Sequence, residues 1–488
     1  MTRQYVGGSR LRFRAAHPAG GLVEVGGELF YRIADHDAMP PFLMSLVSDS
    51  NHWIFLSSNG ALTAGRGDPD HALFPYQTDD RIHDSQDQVG GKTVLRVRRR
   101  GRVQLWEPFS PRYAGLYEIT RSVAKSVYGN KVVFEEVNHD LGLSFAAAWM
   151  TSERFGFVRR TAILNLAPGS VELDVLDGIQ NLLPDGVTRA FQMEFSTLAD
   201  AYKESELDPS SGLALFRLSA IPTDRNEPNE SLRTTTVWSE GIHADRRLLC
   251  SAQLDRFREG LEVEDETFIR GRRGAYLVGA RVALAEHEQR EWNLVADVGQ
   301  DATSVAGLIR LLRSDADIHA ELEADIQLGT RNLVRLVASI DGLQLTVDEL
   351  ASWRHFSNAL FNAMRGGVPD RGYEISSSDL RSYLLSASRE VSARDATLLQ
   401  ELPQELSHRS LLELTRVAGD RDLERLVNEY LPLTFSRGTA TPAAPGTRSP
   451  SSSRPRTVAG VSTMRGTGAT SSRTGRRWPC HSRAMSRA

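Results

Sequence analysis

The sequence predicts a large antiparallel β sandwich followed by a series of helices. Residues 22–298 contain many short segments of alternating apolar and polar residues, separated by turns rich in glycine, proline and asparagine. From Asp301 onward, apolar residues recur three and four positions apart, which is the spacing of amphipathic helices. A chain of 488 residues with 40% hydrophobic and 25% charged residues has the composition of a globular protein with two or three domains.

The strands of the sandwich are predicted segment by segment. "LVEVGGELFYRI" alternates about a Gly-Gly turn, and "KTVLRVRRRGRVQLWEP" gives two strands joined at Arg100 and Gly101. "SVYGNKVVFEEVNHDLGLSFAAAW" and "VRRTAILNLAPGSVELDVLDGIQNLL" repeat the scheme. Because this region is too long for one small sandwich, we expect two large antiparallel sheets within residues 1–300. A short helix is expected among them at residues 197–206.

The helical part is predicted in two stages. "ATSVAGLIRLLRS" and "RNLVRLVASIDG" indicate a helical linker over residues 301–345. Further helices over 347–364, 378–392 and 411–429 indicate the start of a helical domain that extends over residues 346–437. A few helices seldom form a complete domain, so we expect this region to be the first part of a larger one.

The helix predicted over 347–364 carries two different faces. Arg354, Asn358 and Phe361 recur at helical spacing, so one interpretation turns this face toward a sugar. The alternative is a buried helix that packs through its apolar residues Phe356, Leu360 and Met364.

Composition excludes several classes of function. The chain has only two cysteines, Cys250 and Cys480, which fits a reducing compartment and gives no disulfide framework or metal-ligand cluster. The N-terminus lacks the apolar core of a signal peptide, and no run of about eighteen apolar residues could span a membrane. We therefore expect a cytoplasmic protein without a membrane partner.

The charge of the chain is unevenly distributed. Residues 438–488 contain nine arginines and no lysine, aspartate or glutamate. Without them the chain has 49 basic and 62 acidic residues, a formal net charge of −13 rather than −4. The negative net charge of residues 1–437 argues against nucleic acid as the main partner, because binding phosphates needs a basic surface.

The C-terminal segment, residues 438–488, has the composition of a frameshifted tail. It lacks Leu, Ile, Phe, Tyr, Asn and Gln, and its Arg, Ala, Gly, Pro, Ser and Thr are what GC-rich DNA gives out of frame. Shifting the frame by one base permits the protein-like string "RHGDPSRPWN" after Arg437. We expect a frameshift near Arg437, and the alternative is a genuine disordered tail.

The order of elements and several stretches resemble the inverting glycoside phosphorylases, the family of cellobiose phosphorylase and of the phosphorylase part of cyclic β-1,2-glucan synthase. The stretches are "NHWIFLSSNGALTAGRGDPDHALFPYQTDDRIHDS", "YGNKVVFEEVNHDLGLSF", "VLDGIQNLLPDGV" and "RHFSNALFNAMRGG". The order of these stretches along residues 22–437 carries most of the resemblance.

The resemblance implies a β super-sandwich, a helical linker and an (α/α)6 barrel in which catalysis occurs. In that family an acid protonates the leaving glycosidic oxygen while inorganic phosphate, the co-substrate, attacks the anomeric carbon. In that family both the acid and the phosphate-binding site belong to the barrel, so we assign no catalytic residue. We expect this chain to be truncated before the barrel and therefore inactive. The resemblance further implies an oligosaccharide or glucan ligand, a possible homodimer, and no bound cofactor or metal.

The stretch "GDPDHALFPYQTDDRIHDSQD" is the best candidate for a functional site. As a sugar-contacting loop, it would offer Tyr76 as an aromatic face and Asp79, Arg81 and His83 as hydrogen-bonding groups. The alternatives are a metal site, a pair of catalytic carboxylates, and a solvated polar loop with internal Asp–Arg pairs. Trp106, in "VQLWEPF", is a further candidate for stacking on a sugar. The alternative is that its ring packs against the protein at the end of a strand.

A second class of function is a self-sufficient sugar-binding or mutarotase-like sandwich. Mutarotase-like enzymes use a histidine and a carboxylate as acid and base, so the candidates would be His83 with Asp79 or Asp80. This alternative depends on analogy of fold.

Overall fold

The computed structural model describes residues 4–12, 16–99, 101–221, 231–366, 368–369, 373–430 and 433–434. These residues form two compact units. The first contains the described residues up to Tyr373 together with 433–434, and the second contains residues 374–430. The segment 438–488, for which we predicted a frameshifted or disordered tail, lies outside the described residues.

Within the described residues the chain forms 26 strands, most of them in the first unit. Their bounds are β1 Tyr5–Val6, β2 Ser9–Arg10, β3 Ala19–Val25, β4 Glu28–Ala34, β5 Leu43–Leu46, β6 His52–Ser57, β7 Leu62–Arg66, β8 Ala72–Phe74, β9 Gly90–Arg99, β10 Arg102–Trp106, β11 Ile119–Ser126, β12 Val132–Asn138, β13 Leu143–Ser152, β14 Gly156–Asn165, β15 Val171–Leu182, β16 Lys203–Asp208, β17 Leu213–Leu218, β18 Arg233–Glu240, β19 Arg246–Leu248, β20 Phe268–Arg270, β21 Gly274–Leu284, β22 Gln289–Asp301, β23 Val368–Pro369, β24 Glu374–Ser376, β25 Glu405–Ser407 and β26 Leu433–Thr434.

Two large sheets dominate the first unit. One has eleven strands in the order β20-β16-β17-β18-β22-β14-β13-β12-β11-β4-β3, and the other has five in the order β10-β9-β15-β21-β19. A third sheet has four strands, which pair with one another in the order β5-β6-β7-β8. Neighbouring strands in these sheets pair antiparallel, as between β13 and β14 or between β15 and β21. The predicted antiparallel sheets are therefore confirmed.

The apolar faces of the three sheets share a core. Its largest cluster joins Ile54 of the four-stranded sheet, Phe134 and Trp149 of the eleven-stranded sheet, and Ile179 and Tyr276 of the five-stranded sheet. The alternation expected from the sequence is clear in β12, where every second residue is buried. This shared core is what makes the sheets a sandwich.

A buried polar network lies in the core between the two large sheets. Asp177 of β15 is fully buried, and Arg159 of β14 donates to both of its carboxylate oxygens at 2.9 Å. Thr93 and the indole N–H of Trp292 donate to the same carboxylate, at 2.5 Å and 2.7 Å. The charge is thus paired and hydrogen-bonded, as burial of an ion requires.

The described residues form twelve α-helices and two 3₁₀ turns, and no helix among them is long and apolar enough to cross a membrane. The helices are α1 Asp79–Asp84, α2 Arg189–Glu194, α3 Ser196–Tyr202, α4 Leu254–Arg258, α5 Ala302–Leu312, α6 Ile318–Ala338, α7 Glu349–Gly366, α8 Ser377–Ala387, α9 Arg389–Arg394, α10 Ala396–Glu401, α11 His408–Ala418 and α12 Arg421–Glu429, and the 3₁₀ turns are His36–Ala38 and Ser251–Gln253.

Helix α6 packs on the outer face of the eleven-stranded sheet. Its residues Leu322 and Ile326 are buried in a cluster with Trp238 of β18. Glu323, one position from Leu322, accepts a hydrogen bond from Arg160 of β14 at 2.7 Å. Apolar and charged contacts together attach the helix to the sheet.

Two of the predicted helices are each divided in the structure. The segment 378–392 breaks at Ser388, whose side chain caps α9 by accepting from the backbone N–H three residues on, at 3.3 Å. The segment 411–429 breaks at Gly419, which has the left-handed φ of 74° typical of a helix end, and Asp420 then caps α12. Apolar periodicity continues across both breaks, so it could not reveal them.

The second unit has a core of its own. Strands β24 and β25 pair antiparallel with Ile375 opposite Leu406, and helices α8 to α12 contribute residues to the same core. Leu380 and Leu423 are fully buried in this core. The hydroxyl of Tyr430 donates to Asp379 at 2.7 Å and ties the end of the unit to its first helix. The predicted domain limits at residues 300, 345 and 437, and the predicted (α/α)6 barrel, stay predictions.

Candidate functional site

The acidic segment after β7 forms a turn that its own side chains stabilise. Asp68 Oδ1 accepts from the backbone N–H of Asp70 and contacts His71 Nδ1, both at 2.9 Å. The Asp70 carboxylate accepts from the backbone N–H of Arg189 at 2.8 Å. These two carboxylates therefore serve the structure of the loop. Among the described residues, no group of three or more His, Cys, Asp or Glu side chains is placed to hold a metal ion.

Tyr76 lies half-buried at the edge of an aromatic cluster. Its ring meets the ring of Trp53 edge to face, with the centroids 5.7 Å apart. The guanidinium carbon of Arg189 lies 6.0 Å from the centre of the Tyr76 ring. Trp53 is 2% exposed and belongs to the core, so Tyr76 is the member of this pair that reaches solvent.

Asp79, Arg81 and His83 all belong to the short helix α1. Asp79 is its first residue, and its side chain lies outside what the structure describes. Arg81 is exposed. His83 is half-buried, and its Nδ1 lies 2.7 Å from Ser57 Oγ. Asn59 also donates to the carbonyl oxygen of His83 at 2.9 Å, so the end of α1 is fixed against the loop after β6.

Tyr76 and His83 both contact strand β6. Tyr76 contacts Trp53 and His83 contacts Ser57, and both of these residues lie on β6. Positions 53 and 57 point to the same face of a strand and lie about 13 Å apart at the usual rise per residue. The sequence-predicted residues Tyr76 and His83 therefore follow one face of one strand, and Arg81 lies on the same helix as His83.

Trp106 lies apart from this group, in the core of the sandwich. It is 2% exposed, and its indole N–H donates to Glu136 at 2.7 Å. Its ring meets Phe145 edge to face at 6.3 Å. Both ring faces are thus covered by protein, which fits the packing interpretation rather than sugar stacking.

A cavity of about 620 Å³ opens elsewhere in the first unit. Strands β3, β4, β5 and β11 line one wall and helix α7 lines the other. Arg354, Asn358 and Phe361, which the sequence placed on one helix face, all line this cavity. The apolar residues Phe356, Leu360 and Met364 of the other interpretation are buried in a core cluster, and Leu360 and Met364 also line the cavity.

Lys125 of β11 is the notable charge in the cavity wall. It is half-buried, and its Nζ donates to the backbone carbonyl oxygen of Ser45 at 2.6 Å. Burial lowers the pKa of Lys125 from 10.5 to about 8, because a charged amine loses hydration there. Sequence reasoning missed this residue, since "SVAKSVYG" shows an ordinary strand lysine and only the fold reveals what surrounds it.

The comparisons with known proteins give one family match. Residues 370–432 match the family described as glycoside hydrolase family 149 insertion domain 1. This match covers 63 of the 488 residues, in the region of the second unit. A search of curated proteins finds no match.

Solved structures similar to the chain include the following three. A bacterial glucoamylase complexed with acarbose has 11% identity and a TM-score of 0.39, covering 81% of this chain and 53% of that chain. A putative kojibiose phosphorylase from human microbiome has 9% identity and a TM-score of 0.37, covering 89% and 54%. A putative aldose 1-epimerase from Escherichia coli K12 has 10% identity and a TM-score of 0.28, covering 53% and 99%. The chain spans about half the length of the first two.

Proposed function

We propose that this chain is a carbohydrate-active protein of the glycoside hydrolase or phosphorylase kind, and that its β sandwich binds an oligosaccharide or β-glucan. The observation that carries the proposal is the match of residues 370–432 to an insertion domain of a glycoside hydrolase family. The order of an antiparallel sandwich and then helices agrees with this proposal. The finer proposal, a relative of cellobiose phosphorylase, depends on the sequence resemblance.

The proposed binding surface follows β6 from Tyr76 to His83. Tyr76 offers a partly exposed ring to the apolar face of a sugar, and Arg81 offers an exposed guanidinium to its hydroxyl groups. His83 Nδ1 is occupied by Ser57, which leaves Nε2 for a sugar hydroxyl. Asp79 belongs to the proposed surface by its place at the start of α1.

The proposal assigns no catalytic role to any described residue. Inverting phosphorolysis needs one carboxylic acid near the leaving oxygen and a set of cations and hydroxyl groups that hold phosphate in line. In the family that the sequence resembles, both belong to the (α/α)6 barrel. The sandwich then contributes binding, and inorganic phosphate is the co-substrate of the proposed reaction.

Isothermal titration with β-1,2-, β-1,3- and β-1,4-linked gluco-oligosaccharides tests the proposal. We expect saturable binding of at least one of them, weakened about tenfold by Tyr76→Ala and by His83→Ala, because each change removes about 1.4 kcal/mol of contact. His139→Ala is the matched control, since His139 is an exposed histidine in a turn at the far end of β12. No binding of any oligosaccharide, or variants that bind like the wild type, would overturn the proposed site.

A further inference from the structure

Lysine is rare in this chain, and three of the four lysines have the same kind of partner. The sequence holds 58 basic residues, of which only Lys92, Lys125, Lys131 and Lys203 are lysines. All but Lys125 contact a carboxylate, and the pairs are Lys92 with Asp87 and Glu107, Lys131 with Glu28, and Lys203 with Asp200. Lys125 instead donates to a backbone carbonyl and contacts no carboxylate among the described residues. Its charge is therefore left without a counter-ion within the described protein.

The surroundings of Lys125 are those of a site for an anion. None of the described residues that line the cavity is an aspartate or a glutamate, and Arg354 adds a second cation on the exposed side of α7. Lys125 Nζ uses one of its three protons on the Ser45 carbonyl, so two remain for another acceptor. The indole N–H of Trp353, which also lines the cavity, is buried and has no acceptor among the described residues. Unused donors and unpaired positive charge favour a negatively charged, acceptor-rich group.

The rest of the cavity wall is mainly apolar. Ile33, Phe42 and Met44 line it from the sheets, and Leu360 and Met364 line it from α7. A strongly hydrated ion such as free phosphate would lose most of its water against such walls, and the donors of Lys125 and Trp353 would replace only a part of those hydrogen bonds. The volume of about 620 Å³ suits a small organic molecule that buries an apolar part as well.

We propose that this cavity binds a small organic anion with an apolar body, whose acidic group meets Lys125 Nζ while the body packs between the sheet and α7. This site is distinct from the surface along β6, and the proposal stands whether or not that surface binds sugar. The charged group of the ligand supplies the counter-ion that the fold provides to each of the other lysines.

Two fluorescent probes with similar apolar bodies test the role of the charge. 8-Anilinonaphthalene-1-sulfonate carries a sulfonate, and N-phenyl-1-naphthylamine does not. We expect Lys125→Met to weaken binding of the sulfonate probe about tenfold, as for the loss of one partly buried ion pair, and to leave the neutral probe unchanged. Lys203→Met is the matched control, because Lys203 does not line the cavity. Asp200, its partner, still has Arg273 as a counter-ion when Lys203 is replaced. Equal binding of the sulfonate probe by wild type and Lys125→Met would overturn the proposal.

The dependence of probe binding on pH separates a charge contact from a packing effect. Tyr31 on β4 and Arg354 on α7 are the other titratable side chains that line the cavity within the described residues. We expect binding of the sulfonate probe by the wild type to weaken as pH rises from about 7 to about 9.5, because Lys125 loses its proton there. Lys125→Arg keeps its charge over that range, so its binding should stay constant. An identical pH profile for both proteins would overturn the contact with Lys125.

Displacement of the sulfonate probe identifies the class of ligand. We expect octanoate, which joins a carboxylate to an apolar chain, to displace the probe from the wild type and not from Lys125→Met. Inorganic phosphate at the same concentration should displace little. Displacement by phosphate alone, with octanoate inactive, would contradict the requirement for an apolar body. Ser357→Trp, at an exposed position of the cavity wall, should block binding of both probes.

Discussion

The charge of Lys125 should make the stability of the sandwich depend on pH in a predictable direction. Its pKa is about 8 in the folded protein and 10.5 for a lysine that is fully hydrated, as in an unfolded chain, so between these values the unfolded state binds more protons. The free energy of unfolding therefore rises with pH across this window, and below about pH 8 the buried charge is a constant cost. A shift of this size corresponds to about 3 kcal/mol.

Replacing Lys125 by methionine isolates this effect from all other titrating groups. At pH 7 we expect Lys125→Met to be more stable than the wild type by about 3 kcal/mol, and by much less near pH 10, because the neutral amine then resembles methionine. Urea unfolding of both proteins at pH 7, 8.5 and 10, without added anions, measures the difference. A difference that stays constant with pH would contradict the lowered pKa.

The contacts of individual residues show where sequence patterns stop being informative. Trp106 could be placed at a strand end from the sequence, but burial of its ring depends on Glu136 and Phe145, which lie on other strands. The sequence does not reveal Lys125 for the same reason, since the absence of a carboxylate near it among the described residues depends on all the residues around it. Tyr76 and His83 come together only because β6 lies beside both. Contacts between residues distant in sequence are what a single sequence does not display.

Single elements were predicted better than single contacts. The hairpin of β3 and β4 and the alternating strand β12 follow from their patterns, because a half-buried strand must alternate. Helices α8 and α9 were predicted as one, and so were α11 and α12, because apolar spacing continues across a cap. The short helix expected over 197–206 forms as α3, but β16 begins at Lys203, where pairing with β17 replaces helical hydrogen bonds. Tertiary pairing overrides local propensity there.

Helix α7 offers a direct test of its two faces. Phe356 is fully buried and meets Tyr128 at 5.7 Å between ring centres, so Phe356→Ala should lower the free energy of unfolding by about 3–5 kcal/mol. Phe361, five positions on, is 51% exposed at the cavity, so Phe361→Ala should cost no more than about 1 kcal/mol. Chemical denaturation of both variants measures the two values, and equal costs would contradict this orientation of the helix.

The spacing of apolar residues in the whole chain does not show in which hydrophobic core each helix packs. The sequence grouped residues 346–437 as one helical region, and within it α7 packs with Val47 and Leu333 of the first unit. Helices α8 to α12 share a separate core around Leu380 and Leu423. The family match to residues 370–432 falls on this second unit, so the same segment is distinct by sequence similarity and by its contacts.

Separate cores predict separate unfolding. The second unit has 57 described residues, 374–430, which is a small size for a stable domain, so its free energy of opening should be low. Leu423 is fully buried there, so Leu423→Ala should lower the free energy of unfolding of the second unit by about 2 kcal/mol or more. Because amide exchange in α8 to α12 then requires less free energy, it should become about thirtyfold faster or more. Exchange in the sandwich strands β13, β14 and β15 should stay unchanged.

Hydrogen–deuterium exchange with mass spectrometry measures both regions in one sample. Leu173→Ala is the matched control, because Leu173 is equally buried but lies in the sandwich core. It should speed exchange of strands such as β9 and β15 and leave α8 to α12 as in the wild type. If either variant accelerated exchange throughout the chain, the two units would unfold as one cooperative unit, which would contradict the prediction of separate unfolding.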